Sequence, residues 1–407
     1  MSGVVIIGAG QAGHQLAESL RHDDYQGKIS LIGDEAQPPY QRPPLSKQYL
    51  LGKTSEQQLM FRAEAYYQEH GIELMLNTRI SAVHPEAHEV ETSQGARLGY
   101  DSLVLSTGAR ARPLPVPGSE LEGVCYLRTL DDVKHIQGQM DAVKNVVVIG
   151  GGFIGLEFAA VAQTLGKKVT VIEAMDRLMA RVVAPIVSEY YAELHRSHGV
   201  HVITGASVSE IKATDGRVGA VACADGREFE TELVLVGIGV IANDELASAC
   251  GVECDNGIIV DAFSRTTAAN IYAAGDCALY KHPFAGTLVR LESVQNATDQ
   301  AKVAAASIAG KAYAYEMVPW FWSDQYDKKL QMVGLSSGCE TQVTRGDRAS
   351  GKFSVFYFRD GKLRAIDSIN KPADHIMGRK LLAGECSLTP DQAADETYAL
   401  KSSLASS

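Results

Sequence analysis

Val4-Val5-Ile6-Ile7-Gly8-Ala9-Gly10-Gln11-Ala12-Gly13 is the stretch whose reading decides the fold. A β-branched run without polar alternation reads as a strand buried on both faces of a parallel sheet. The G-x-G-x-x-G that follows leads into a helical pattern from Gln15 to Leu20. A second apolar run, Lys28 to Ile32, ends in Gly33-Asp34-Glu35. This is a strand–turn–helix–strand unit of about 35 residues, the pattern of a dinucleotide-binding half. The same grammar returns further on. Val146-Val147-Val148-Ile149 enters Gly150-Gly151-Gly152-Phe153-Ile154-Gly155, then a helix from Leu156 to Leu165 and a strand from Val169 to Ile172 capped by Glu173.

In each copy the first glycine (Gly8, Gly150) permits the tight turn, and the second (Gly10, Gly152) lets backbone approach a pyrophosphate. The third (Gly13, Gly155) allows the helix to pack close to its strand. The helix N-terminus offers free N–H groups and partial positive charge to the phosphates. Asp34 and Glu35 end the strand after the first loop, and Glu35 and Glu173 stand where a carboxylate accepts from ribose hydroxyls. Glu173 would repel a 2′-phosphate, so NADH is expected over NADPH. Arg177 and Arg181 lie just beyond; they read either as a solvated basic face or, for Arg181, as a contact to the pyrophosphate.

Working outward, Leu103 to Gly108 is a further buried strand, and Asn270 to Asp276 a strand that closes the first unit. Leu233 to Val240 reads as a strand closing the second. The expected organisation is a discontinuous first domain (1–111 and 241–315), a second domain (112–240) and a third (316–407). In the third, Gln331–Leu335, Gln342–Arg345, Phe353–Phe358 and Leu363–Ile369 alternate like antiparallel strands, with a hairpin turn at Asp360-Gly361. A helix over Ala373–Ala383 and a frayed tail after Tyr398 complete the reading. The fold class is α/β: two Rossmann-like domains plus a smaller α+β C-terminal domain.

Composition narrows the function. With 45% apolar and 21% charged residues over 407 positions, the chain is neither disordered nor fibrous. Its net charge of −11 argues against nucleic acid as a partner. Seven scattered cysteines suit reduced thiols in a cytoplasm better than a disulfide scaffold. The first twenty residues hold no Lys or Arg, and no apolar run nears the ~18 residues of a membrane span. Neither a signal peptide nor a membrane is expected, and no residues are assigned to a metal. Two dinucleotides in one chain suggest NADH with FAD, because nicotinamide gives up a hydride whereas a flavin can release electrons singly.

The segments Arg42-Pro43-Pro44-Leu45-Ser46-Lys47, Tyr126 to Leu130, Gly150 to Glu157, Ile271 to Cys277, Glu292-Ser293-Val294 and Pro319 to Gln325 carry a resemblance. Together they resemble the flavoprotein reductases of the glutathione-reductase fold, and within them the NADH–ferredoxin reductases of oxygenase systems. Disulfide-reducing cousins carry C-x₄-C after the first unit, whereas residues 36–60 here contain no cysteine. The resemblance therefore implies direct electron transfer to a 2Fe–2S ferredoxin.

It further implies that Lys47 lies near the flavin N5 paired with Glu157, where its charge stabilises reduced flavin. Arg42 and Arg128 are implied at the FAD phosphates and cofactor, and Val83 as a backbone clamp on adenine. Thr107, Gly108, Gly275, Asp276 and Val294 resemble the remaining flavin contacts, with Ala12 inside the phosphate turn. Gly152, Ile154, Gly155, Glu157, Glu173 and Gly237 are expected to line the NADH track. Trp320 and Trp322 read as a core corner or, for Trp322, as an indole over the flavin edge on the electron path. An acidic ferredoxin needs a local basic cluster on an acidic protein, for which Arg62, Arg290, Lys302, Lys328 and Lys329 are candidates. The segment around Trp322 tilts the terminal acceptor towards a cytochrome P450 monooxygenase over a Rieske dioxygenase, and a monomer is expected. The rivals are a rubredoxin reductase or NADH oxidase of this fold, and a redox-sensing NADH/FAD-binding protein.

Overall fold

A computed structural model describes residues 3–404. The chain divides into two compact units: Met1–Gln41, Glu56–Arg110 and Ile241–Pro319 form the first; Arg42–Ser55, Ala111–Val240 and Trp320–Ser407 form the second.

The first unit is built on a five-stranded parallel sheet in the spatial order Ile271–Ala273, Ser102–Leu105, Val4–Ile7, Ile29–Ile32, Ile72–Met75. Val4 and Ile6 face a core shared with Leu16, Leu20, Ala301 and Ala304, while Val5 and Ile7 face a second core with Val90, Leu103 and Tyr280. Burial on both faces is why the strand reads as an unbroken apolar run. Helices Gln11–His22 and Val294–Ile308 supply the first core. The second is closed in part by a three-stranded antiparallel sheet, Ile80–His84, Glu89–Thr92 and Arg97–Gly99.

The second unit repeats this plan. Its parallel sheet runs His201–Ile203, Lys168–Ile172, Asn145–Ile149, Leu233–Val236, Val124–Cys125, and a second antiparallel triplet spans Val208–Thr214, Arg217–Cys223 and Glu228–Glu230. The outer strand comes from a late segment in the first unit and from an early one in the second. The strand expected over Leu233–Val240 is shorter than read. It stops at Val236, where the N–H of Gly237 bonds to Ile149 O and the chain turns away over the glycine loop.

The unit also carries a five-stranded antiparallel sheet in the order Trp320–Gln325, Lys328–Gly334, Lys362–Ile369, Lys352–Arg359, Thr341–Asp347. Asp360 and Gly361 both take positive φ, 51° and 69°, as a two-residue hairpin of the primed type requires. Helix Pro372–Ala383 packs on this sheet through Gly378, whose hydrogen faces Ile366 and Val333. The strand Trp320–Gln325 was not anticipated: Trp320-Phe321-Trp322 is apolar throughout and shows no alternation. The expectation of a frayed tail is corrected. Leu400 and Ser403 are buried in a short 3₁₀ turn, and Leu404 bridges Cys386; residues 405–407 lie outside the described part.

Candidate functional site

Gly10 caps the helix Gln11–His22 with extended backbone and no side-chain acceptor, so the first helical amides are unclaimed by any cap. The three glycines of this loop do different things. A Cβ on Gly8, which has φ +109°, would stand 2.2 Å from Ser106 O, and one on Gly13 would stand 2.0 Å from Gly8 O. A Cβ on Gly10 would meet nothing within 4 Å. Two glycines therefore close the turn, and the middle one faces open space where an anion fits against bare backbone.

Around this loop the chain gathers several predicted residues. Gly33 abuts Ala9, which sets Asp34 and Glu35 beside the turn; Asp34 is exposed, and Glu35 Oε2 accepts the Tyr40 hydroxyl at 2.5 Å. Gly275 sits against Ala12, and its N–H is fixed by Gln300 Oε1 at 2.9 Å, which aims the half-buried Asp276 that follows. Thr107 Oγ1 donates to Asn243 O at 2.5 Å while Asn243 Nδ2 donates back to Thr107 O at 2.9 Å, bracing the bend at Gly108. Val294 is the first residue of its helix, capped by Ser293. Val83 lies mid-strand opposite Val90 with its side chain in the core.

The second loop shows the same division of labour. A Cβ on Gly150 would stand 2.4 Å from Gly237 O and one on Gly155 2.2 Å from Gly150 O, whereas Gly152 opens on empty space. Gly152 again caps its helix, Phe153–Thr164, without a side chain. Glu173 is held at this loop: Oε2 accepts Gly151 N–H at 2.6 Å and Oε1 accepts Met175 N–H at 2.7 Å. Each carboxylate oxygen keeps a further lone pair for a ribose hydroxyl. Ile154 is 42% exposed beside it. Arg177 is not a free cation: it donates to Val183 O, Ala180 O and Ser188 Oγ, folding the loop that follows Glu173. Arg181 is exposed.

Lys47 and Glu157 meet in this unit. Lys47 Nζ lies 2.8 Å from Glu157 Oε2, with the acid side chain only 2% exposed. Ser46 Oγ donates to the same oxygen at 2.5 Å and Ser323 Oγ to Oε1 at 2.7 Å. A buried carboxylate is tolerable only when its lone pairs are so occupied. The 3₁₀ turn Pro43–Ser46 delivers Ser46 and Lys47, since two prolines fix its φ angles. Arg42 Nη1 reaches Arg128 O at 3.0 Å at the entry to this turn. Trp320 and Trp322 are each half-buried, with ring centroids 5.6 Å apart on the strand face opposite Ser323.

Residues 2–301 match the family model described as pyridine nucleotide-disulphide oxidoreductase, and residues 320–404 match one described as reductase C-terminal. The chain belongs to the pyridine nucleotide-disulphide oxidoreductase family. It is 48% identical over 402 residues to rhodocoxin reductase of Rhodococcus erythropolis, covering 99% of this chain and 94% of the relative. It is 41% identical over 407 residues to putidaredoxin reductase CamA of Pseudomonas putida, covering 99% and 96%. Among solved structures it is similar to the ferredoxin reductase for the CYP199A2 system from Rhodopseudomonas palustris, with 47% identity, full coverage of both chains and a TM-score of 0.97. It is similar also to the covalent putidaredoxin reductase–putidaredoxin complex, with 41% identity, coverage of 98% and 97% and a TM-score of 0.96.

This pyridine nucleotide-disulphide oxidoreductase has the glutathione-reductase type of fold and uses FAD and a nicotinamide dinucleotide. The two open, uncapped glycine loops and the two strand-end carboxylates fit those adenine dinucleotides. Sequence reading missed Ser46, Ser323, Asn243 and Gln300. Ser46 lies within the recognised Arg42–Lys47 segment. Ser323 would have shown itself had Trp320–Gln325 been read as a strand with period two.

The cations read from sequence as docking candidates divide. Arg62 and Lys302 share one open groove of ≈ 700 Å³ with Lys311, Tyr66 and Tyr313. Arg290 does not belong with them: its side chain is only 9% exposed and is spent on Asp276 O and Glu292. Lys328 is tied to Asp327, and Lys329 is exposed. Among the described residues no helix is long and apolar enough to cross a membrane.

Proposed function

We propose that this oxidoreductase is an NADH:ferredoxin reductase of an oxygenase system, which takes electron pairs from NADH and delivers single electrons to an acidic 2Fe–2S ferredoxin. The observation that carries the reading is the Lys47–Glu157 pair at 2.8 Å in a chain whose residues 36–60 lack cysteine. Where disulfide-reducing relatives in the resemblance hold a dithiol, this chain presents a positioned ammonium. Bound FAD supplies hydride acceptance and one-electron release. Lys47 Nζ holds positive charge against the anion that reduction develops, and Glu157, with Ser46 and Ser323, fixes that ammonium in place. Glu173 orients the adenosine ribose of NADH through its free lone pairs, and the amides at Gly152 and Gly10 receive the pyrophosphates. Trp322 is our choice for the side chain nearest the outgoing electron.

The names of the relatives support a ferredoxin as acceptor, and the likeness to the ferredoxin reductase for the CYP199A2 system supports a cytochrome P450 over a Rieske oxygenase at the end of the chain. We read Arg62 and Lys302 as the docking cations, because both line the open groove and stay half exposed while paired with Glu18 and Asp299. The test is charge reversal. R62E or K302E lowers the rate with ferredoxin by about tenfold at low salt, shrinking as salt screens it, and leaves ferricyanide reduction intact. Equal loss with both acceptors would remove the docking role.

A further inference from the structure

Glu157 can only accept hydrogen bonds, and this fixes the direction of every bond in a chain that leads away from it. Ser323 Oγ must give its proton to Glu157 Oε1 at 2.7 Å, so it receives one from Gln325 Nε2 at 3.3 Å. The other end of that amide, Oε1, faces His195 Nε2 at 2.9 Å, so Nε2 carries a proton. In a neutral ring Nδ1 is then an acceptor, and the Tyr326 hydroxyl stands 3.3 Å from it. Ser323, Gln325 and His195 are all fully buried. Tyr326, at φ +56° in the turn after the strand, stacks on His198 at 3.8 Å. Burial holds the His195 ring down to about 4 and keeps the Tyr326 hydroxyl above its ordinary range, so the ring is neutral and the phenol a donor at neutral pH.

We propose that Ser323, Gln325 and His195 are positioning residues for the Lys47–Glu157 pair, forming a one-way donor chain that fixes the carboxylate and through it the Lys47 ammonium. This deepens the function proposed above and rests on the reading that Lys47 serves the flavin. Four links point the same way, so each polarises the next, and the last delivers its donor to the one oxygen of Glu157 that Lys47 and Ser46 leave open. Period-two alternation explains why one strand does two jobs: Ser323 and Gln325 face inward along the chain of bonds, and Trp320 and Trp322 face the other way. Without the Ser323 donor, Glu157 would draw more on the ammonium, and less of the positive field would remain for a reduced flavin.

The test uses the FAD-loaded enzyme. Ser323→Ala slows flavin reduction by NADH about tenfold, the scale of one hydrogen bond to a charged group, and lowers the flavin midpoint potential, while NADH affinity stays within about twofold. Gln325→Leu has the same sign and a smaller size, and Ser323→Thr, which keeps the hydroxyl, restores both. Nitrogen-15 NMR of the unchanged protein independently shows a neutral His195 with the proton on Nε2. Wild-type rate and potential in Ser323→Ala and Gln325→Leu, alongside a slow Lys47→Met, would overturn the chain but keep the parent reading. An unimpaired Lys47→Met would overturn both. A proton on Nδ1 of His195, or no rescue by Ser323→Thr, would also overturn the inference.

Discussion

The carboxylate of Glu173 accepts the backbone N–H of Gly151 at 2.6 Å, across the turn of the second glycine loop. In the proposed role of Glu173 at the adenosine ribose, this charge is held rigidly where an added 2′-phosphate would sit. Arg177, the cation nearest to Glu173 in sequence, is committed to Val183, Ala180 and Ser188 and offers that phosphate little. Glu173→Ala is expected to raise the NADPH-to-NADH ratio of kcat/KM about tenfold, equivalent to ~1.4 kcal/mol, as measured by steady-state ferricyanide reduction.

The Lys47–Glu157 pair predicts a non-additive stability pattern. Lys47→Met leaves the 2%-exposed carboxylate without its counter-ion and should cost about 3–5 kcal/mol. The double variant with Glu157→Gln removes both charges and should recover most of that loss, though not the rate of flavin reduction. Denaturant titration of the three proteins checks the first statement and stopped-flow absorbance the second.

The first glycine loop separates packing from binding. Gly13→Ala drives a methyl to 2.0 Å from Gly8 O, and is expected to destabilise the apoprotein by about 1–3 kcal/mol. Gly10→Ala meets no protein atom within 4 Å, so the apoprotein should melt as the parent does while FAD affinity falls. Melting of apoprotein and flavin retention on gel filtration, measured together, distinguish the two.

Asp367 is fully buried under the Tyr357 hydroxyl, which donates to it and also accepts the N–H of Ala184 at 3.0 Å, at the end of the loop that Arg177 folds. Burial raises its carboxyl to about 7, against the opposing effect of the Tyr357 hydrogen bond. The folded state thus keeps a proton that the unfolded chain, with a pKa of about 3.9, gives up. That contribution is complete below about pH 4 and is lost as pH rises through 7. Asp367→Asn should flatten the fall in melting temperature between pH 5 and pH 8, as calorimetry across that range would show.

Both glycine loops and both acidic strand ends were legible in the chain itself, because a tight turn, a bare backbone and a helix start demand particular residue types in fixed order. The repeat of β-branched runs gave the two parallel sheets for the same local reason: a strand buried on both faces has no polar alternation. Lys47 and Glu157 were legible as a pair only through resemblance, since 110 places separate them. What folding alone decided is which polar groups meet. Arg290 is a surface cation by composition and a buried one in fact, tied to Glu292 and Asp276 O. Ser46, Ser323, Gln325 and His195 are unremarkable in sequence and come to converge on one carboxylate only when two helices, a proline turn and a strand from distant segments pack against each other. A hydrogen bond acts over about 3 Å and carries no signature along the chain, so its partners are fixed by packing, not by order.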